Sequence, residues 1–369
     1  MQNLFMTVVL MLCTSASSLA QASDLNNLLN KALKDRSIPA MAVLIIKDGE
    51  VKQQAVQGVR AANSRVKATL SDAWHIGSDT KALTATLIAK LVERGVLSWQ
   101  TPLSSMLPDV AMHTDYKDVN LADLLSHRAG LPPNVDEAKI LAYRKDPRSL
   151  IAVRAEYVAI ALSEAPVAPA RQASNYSNSG YLVAAAIAER ATGNSYEKLM
   201  QDEIYGPLGM VLHNADLGKD ELVGHKKNRP LSGPESDIPA FFSPAGATTR
   251  LTMSDWAKFA LDQMSGEHGN GKLLRKESYQ YLHAPQGDTV AALGWGVKND
   301  WPKNAPIRLL THAGSNTYWY ALIALAPDSS DAVLIAANAG EGTGAAKEES
   351  QLLLKLMAEL MEKKSPSNK

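Results

Sequence analysis

Ile76-Gly77-Ser78-Asp79-Thr80-Lys81, running straight into Ala82-Leu83-Thr84-Ala85-Thr86-Leu87-Ile88-Ala89, is where this chain changes character. Upstream the pattern is that of strands. Met41 to Ile46 is an apolar run rich in β-branched residues, Asp48-Gly49 is a hairpin turn signal, and Val51 to Val59 alternates as a partner strand would. Downstream the pattern is helical: Thr80 to Arg94 holds no breaker and stops at Gly95. Further helices are expected over Leu121 to Leu125, Leu150 to Leu162, Tyr181 to Ala191 and Tyr196 to Ile204. Strands return in Tyr318 to Leu325 and Ala332 to Ala337, joined by Pro327-Asp328-Ser329-Ser330. A last helix puts Leu353, Leu356, Met357, Leu360 and Met361 on one face, and a short one is expected over Asp24 to Arg36. The fold class is therefore α/β in the α+β sense. An antiparallel sheet flanked by helices is formed by both chain ends (about 23–77 and 245–369), and a helical lobe (about 78–244) is inserted between them.

Bulk properties narrow the function classes. The chain has 369 residues, 46% of them hydrophobic, and its 38 Lys+Arg balance 38 Asp+Glu. Such a balance offers no global field for nucleic acid or anionic lipid. Leu4 to Leu12 is apolar and Ala20-Gln21-Ala22 fits a small-x-small cleavage site, so residues 1–22 read as an export signal. Periplasmic or cell-surface localisation is expected, with no stable membrane insertion. Cleavage would remove Cys13, the chain's single cysteine, and Leu12 before it is bulkier than a lipidation site wants. N-terminal sequencing of the native protein should begin at Ser23; an intact Met1 in a cytosolic fraction would overturn export. The eight histidines form no metal-ligating spacing, and Gly340-Glu341-Gly342-Thr343-Gly344 lacks the strand and acidic residue a dinucleotide site needs after it. No cofactor or metal is expected.

The candidate chemistry lies in three short strings. Ser-x-x-Lys occurs three times, as Ser64 to Lys67, Ser78 to Lys81 and Ser195 to Lys198. Only Ser78 follows a glycine and opens a long apolar helix. Residues three apart share a helix face, so Lys81 can reach the Ser78 hydroxyl, and a helix N-terminus offers free N–H groups for an oxyanion. Ser195 reads as a plain helix cap. Tyr176-Ser177-Asn178 sits in a turn-forming stretch ahead of a helix and supplies a phenol and an amide. His312-Ala313-Gly314, followed by Ser315, precedes a strand and suits an edge against which a peptide-like substrate lies. A nucleophile with an amine beside it, a phenol to carry protons and backbone donors for an oxyanion are the parts of serine acyl transfer.

The order and surroundings of these strings resemble the class C β-lactamase and DD-peptidase-like serine hydrolases, a penicillin-recognising family that includes esterases and D-aminopeptidases. Ile76 to Lys81 is similar to its nucleophile stretch, and Leu124-Leu125-Ser126-His127-Arg128-Ala129-Gly130-Leu131-Pro132 to a second block. Asn175 to Tyr181, Gly193, Pro207 to Met210, Ser243 to Gly246 and Thr311 to Tyr320 continue the likeness, which covers about Leu25 to Leu360. The resemblance implies a β-lactamase/transpeptidase-like fold and a small-molecule or peptide-like acyl substrate. Ser78 would be the acylated nucleophile, Lys81 its proton partner and Tyr176 a general base and shuttle, with the first proton acceptor left open between the last two. Asn178 would bind a substrate amide, Asn134 would point an amide toward substrate, and His312, Gly314 and Ser315 would line the substrate edge, the Ser78 and Ser315 N–H groups forming the oxyanion hole. True class C β-lactamases carry lysine where this chain has His312. The expected activity is therefore hydrolysis of short esters or D-amino-acid peptides. A true β-lactamase and a non-catalytic penicillin-binding or regulatory module are the alternatives.

Overall fold

The computed structural model describes residues 24–34, 37–213, 221–231, 238–301 and 307–362. The export-signal reading, Cys13 and Ser23 lie outside them. Strands β1 (Ala40–Lys47) and β2 (Glu50–Gly58) form the expected hairpin. The short strands β3 (Trp74–His75), β4 (His225–Lys226), β5 (Arg229–Pro230) and β6 (Arg250–Leu251) make two small ladders, β3 with β6 and β4 with β5. Strands β7 (Gly296–Trp301), β8 (Ile307–Ser315), β9 (Tyr320–Ala326) and β10 (Asp331–Ala337) complete a six-stranded antiparallel sheet in the order β2-β1-β10-β9-β8-β7. The N-terminal hairpin thus joins the C-terminal strands directly, through β1 against β10.

Alternation explains why β1 and β10 are buried on both sides. Ala40, Ala42, Leu44 and Ile46 face one core, together with Leu334, Ala336 and Ile323. Met41, Val43 and Ile45 face the other, with Val333, Ile335 and Ala337. Successive strand side chains point to opposite faces, so a strand between two helical layers is apolar throughout. One layer is the terminal helices, α1 (24–33) and a C-terminal helix (Ala345–Glu362) that packs Leu352, Leu356, Met357 and Leu360 on the sheet. The other is the inserted helical region. There α2 (Thr80–Glu93), α3 (Leu150–Ser163) and α4 (Asn178–Thr192) share one core with Leu121, Leu124 and Leu125. Serine caps open α3 and α4, through Ser149 and Ser177, and Gly193 closes α4 with φ 70°. No helix among the described residues is long and apolar enough to cross a membrane.

One expectation is met and extended, and one needs correction. His312 precedes the expected strand, β9, but itself lies within another, β8, and neither β8 nor β7 was expected. Their sequences, Ile-Arg-Leu-Leu-Thr-His-Ala-Gly-Ser and Gly-Val-Lys-Asn-Asp-Trp, break the period of two, and their pairing carries a register shift between Lys298 and Trp301. Helix α4 begins at Asn178 rather than Tyr181, because Ser177 caps it through the Gly180 N–H.

Candidate active site

Ser78 sits in a single 3-10 turn, Gly77–Asp79, that leads into α2. Two glycines let this turn meet β8 backbone to backbone. Gly77 has φ 52°, and a Cβ on it would stand 2.5 Å from the Ser315 nitrogen. A Cβ on Gly314 would stand 1.8 Å from the Ile76 carbonyl oxygen. His75 fixes the turn from behind: its Nδ1 accepts the Gly77 N–H at 3.0 Å and its Nε2 lies 2.8 Å from the Ala247 carbonyl oxygen. Pairing of β7 with β8 ends at Gly296 opposite Thr311, whereas β9 follows β8 through Ser315. The stretch His312 to Ser315 therefore runs past its β7 neighbour beside the nucleophile turn.

Lys81 lies one helical turn from Ser78 and is fully buried. Its Nζ is 3.1 Å from Ser78 Oγ, 2.7 Å from Asn178 Oδ1 and 2.7 Å from the Ala245 carbonyl oxygen. Burial holds its amine well below the ordinary lysine range, with the Asp79 carboxylate pulling the other way. Of the three neighbours, Asn178 Oδ1 and the Ala245 carbonyl only accept hydrogen bonds. A neutral amine gives its two N–H groups to them and turns its lone pair to Ser78.

Tyr176 donates its hydroxyl to Ser78 Oγ at 2.7 Å. Its ring is half-exposed, yet desolvation of the hydroxyl pushes the phenol up to about 12, against the pull of the Ser78 hydrogen bond. The Lys81 amine lies 4.9 Å from the Tyr176 ring centre. His127 holds this tyrosine from the other side, with ring centres 4.5 Å apart, and its Nδ1 accepts the Ser177 N–H at 3.1 Å. Burial, with the charges of Lys81 and His312, pushes the His127 imidazole down to about 3, which keeps that nitrogen an acceptor.

Asn178 is engaged on both sides. Its Oδ1 accepts from Lys81, and its Nδ2 donates to Asn134 Oδ1 at 2.9 Å. Asn134 thus reaches the site through Asn178. His312 stands next to the turn, its Nδ1 3.2 Å from Asp79 Oδ1. Asp79 is buried, and its carboxyl rises to about 6 by desolvation, held back by His312 and Lys81.

The structure therefore brings together Ser78, Lys81, Tyr176, Asn178 and Asn134 by hydrogen bonds, and His312, Gly314 and Ser315 by the approach of β8. The other Ser-x-x-Lys serines are elsewhere: Ser195 caps a short helix through the Lys198 N–H, and Ser64 accepts the Val66 N–H in a turn. Sequence reasoning missed the parts played by His75, Asp79 and His127. His127 lay inside a recognised block, the one signal that could have drawn attention to it. Among the described residues no group of His, Cys, Asp and Glu could hold a metal ion.

The chain is similar to known proteins in sequence and in fold. Protein flp of Staphylococcus aureus (strain MRSA252) is 24% identical over 327 residues, 85% of this chain and 62% of that protein. An unguisins hydrolase of Aspergillus campestris is 28% identical over 253 residues, 64% of this chain and 46% of its own length. The chain thus spans about 62% of the first of these curated relatives. The octameric penicillin-binding protein homologue from Pyrococcus abyssi shares the fold, with TM-score 0.74 and 22% identity over 92% of this chain and 77% of that one. So does SurE, solved with D-Leu, with TM-score 0.72 and 20% identity over 94% of this chain and 76% of that one. The family model described as Beta-lactamase matches residues 25–357, which takes in both the sheet and the inserted helices, and the chain belongs to the Beta-lactamase family.

Proposed function

We propose that this protein is a serine hydrolase that forms an acyl-enzyme on Ser78 and hydrolyses a short ester or a D-amino-acid peptide. The observation that carries the reading is the pair of contacts on one oxygen: Lys81 Nζ at 3.1 Å and Tyr176 OH at 2.7 Å from Ser78 Oγ. Lys81 takes the first proton. Its amine is biased toward the neutral form with its lone pair facing Ser78, whereas the phenol holds its proton and donates it. Ser78 Oγ then bonds to the substrate carbonyl carbon while its proton passes to Lys81. The developing oxyanion lies toward the Ser78 and Ser315 N–H groups. Collapse breaks the bond to the leaving group, which receives a proton through Tyr176, resupplied by Lys81. Water repeats the sequence on the ester to release the acid and Ser78. Asn178 keeps one N–H for a substrate carbonyl and holds the Lys81 amine with the other end of its amide.

The pH profile follows from the sign of the lysine shift. The base form of Lys81 accumulates as pH rises through a pKa set below the ordinary lysine value of 10.5. kcat/KM for a neutral ester should therefore rise with pH in that lowered window and approach a plateau before the Tyr176 phenol ionises. A profile that climbs only in the range of an ordinary exposed lysine would contradict the assignment.

Activity is tested by a parallel screen of nitrocefin, short p-nitrophenyl esters and a D-Ala-D-Ala peptide. The esters or the peptide should exceed nitrocefin in kcat/KM, because His312 replaces the fixed cation that draws a β-lactam carboxylate. Nitrocefin turnover far above the esters would make this a true β-lactamase. A penicillin adduct with no turnover of any substrate would favour the non-catalytic binding module.

A further inference from the structure

The Lys81 amine has aromatic neighbours besides its hydrogen bonds. Its Nζ lies over the Tyr176 ring at 4.9 Å and over the Tyr181 ring at 5.4 Å from the ring centres. Both are within the ~6 Å at which a cation is drawn to an aromatic face. Tyr181 is fully buried, and its hydroxyl donates to the Leu125 carbonyl at 2.6 Å, which fixes the ring. It follows Asn178 by one turn of α4, so one helix face supplies both the amide that accepts from Lys81 and the second ring. His127 closes the group, its ring centre 4.5 Å from that of Tyr176 and 5.4 Å from that of Tyr181.

We propose that the Tyr181 ring, together with that of Tyr176, stabilises the Lys81 ammonium that forms when Ser78 gives up its proton. The proposal rests on the serine acyl-transfer reading and adds to it how a buried amine holds the proton between steps. Once protonated, Lys81 has three acceptors: Ser78 Oγ at 3.1 Å, and Asn178 Oδ1 and the Ala245 carbonyl at 2.7 Å each. Lys81 is fully buried, so the rings stand in for the water that solvates an exposed ammonium. An aromatic face attracts the charged form and not the neutral one. The attraction therefore grows as the proton moves, which lowers the barrier to its transfer. Tyr181 acts through Lys81 and is a positioning residue.

The groups around Lys81 fix the sign of the effect. They are Asp79 from the nucleophile turn, Tyr176 ahead of α4, Asn178 and Tyr181 on it, His127 from the segment after Leu125, and the Ala245 carbonyl. His312 of β8 contacts Asp79. Burial pushes the Lys81 amine down, and the Asp79 charge pulls it up. His127 is held neutral by a pKa of about 3. Burial keeps both phenols above the ordinary tyrosine range, so the two rings stay uncharged at neutral pH. The ring faces add to the upward pull of Asp79. Weakening them lowers the Lys81 pKa further, and the base form then appears at lower pH.

The test replaces Tyr181 with phenylalanine and then with phenylalanines carrying progressively more ring fluorines. Fluorine draws electron density off the ring face while nearly keeping the ring's size, so a purely packing role is left intact. The acid limb of kcat/KM for a neutral p-nitrophenyl ester should move to lower pH along the series, by ~0.5 pH unit or more in total. Thermal unfolding should stay near that of Tyr181→Phe. A difluorotyrosine at the same position, which keeps the hydroxyl and its bond to Leu125, should move the limb in the same direction should Tyr181→Phe fold poorly. Carbon-13 NMR of the lysine ε-carbons, with the Lys81 signal identified by its absence in Lys81→Met, should titrate with the same downward drift. That titration needs no turnover. A limb or a titration that stays in place across folded variants, or moves to higher pH, overturns the proposal while leaving acyl transfer standing. Failure to turn over any ester, with no adduct on Ser78, overturns both.

Discussion

Ser78→Ala is expected to lower kcat for the best ester substrate by ~10³-fold or more while the protein stays folded. The substitution removes one oxygen, and with it the atom that both Lys81 and Tyr176 address. Lys81 keeps its bonds to Asn178 and the Ala245 carbonyl, and the turn keeps its support from His75, so the frame survives. Residual catalysis would come from binding and oxyanion donors alone, as it does when other hydrolases lose a nucleophile. Steady-state rates paired with thermal unfolding read the two effects separately. A variant that unfolds at the wild-type temperature yet retains near wild-type kcat would remove Ser78 from the chemistry.

Lys81→Met and Tyr176→Phe should each cost on the order of 10²-fold or more in kcat, the range of a lost general acid–base group. The double variant should be little worse than the worse single one. Both side chains touch the same oxygen, and the lysine amine lies over the tyrosine ring at 4.9 Å, the arrangement expected of two groups that move one proton as a unit. Groups that act together lose additivity. Tyr176→Phe keeps the ring stacked on His127 and removes only the hydroxyl. Fully multiplicative losses in the double variant would show two independent roles.

What could be read from the chain follows the range of the forces involved. Strand β1 was legible because Ala40 to Ile46 is apolar at every position, and α2 because Thr80 to Glu93 holds no helix breaker. Ser78 and Lys81 are three residues apart on one turn, so helix periodicity brings them together without tertiary knowledge. Strands β7 and β8 were not legible, since Asn299, Asp300, Arg308 and His312 interrupt their alternation and the sheet around them supplies the missing order. The Asp79–His312 contact joins the nucleophile turn to a strand from the far end of the chain, and no local pattern announces it. His127 was hidden for a related reason. Its work is to stack on Tyr176 and accept the Ser177 N–H, and both contacts exist only once α4 has docked. Asn178 was read as a substrate ligand, and its contacts to Lys81 and Asn134 add a structural duty that its sequence position does not show.

The central claim is that Ser78 becomes covalently acylated, and intact-mass analysis after a fluorophosphonate probe tests it most directly. The account predicts a single adduct per chain, mapped by peptide sequencing to the segment holding Ser78 and absent from Ser78→Ala. An adduct that persists in Ser78→Ala, on Ser64, Ser195 or elsewhere, would contradict it, as would no adduct on a folded wild-type protein that hydrolyses esters.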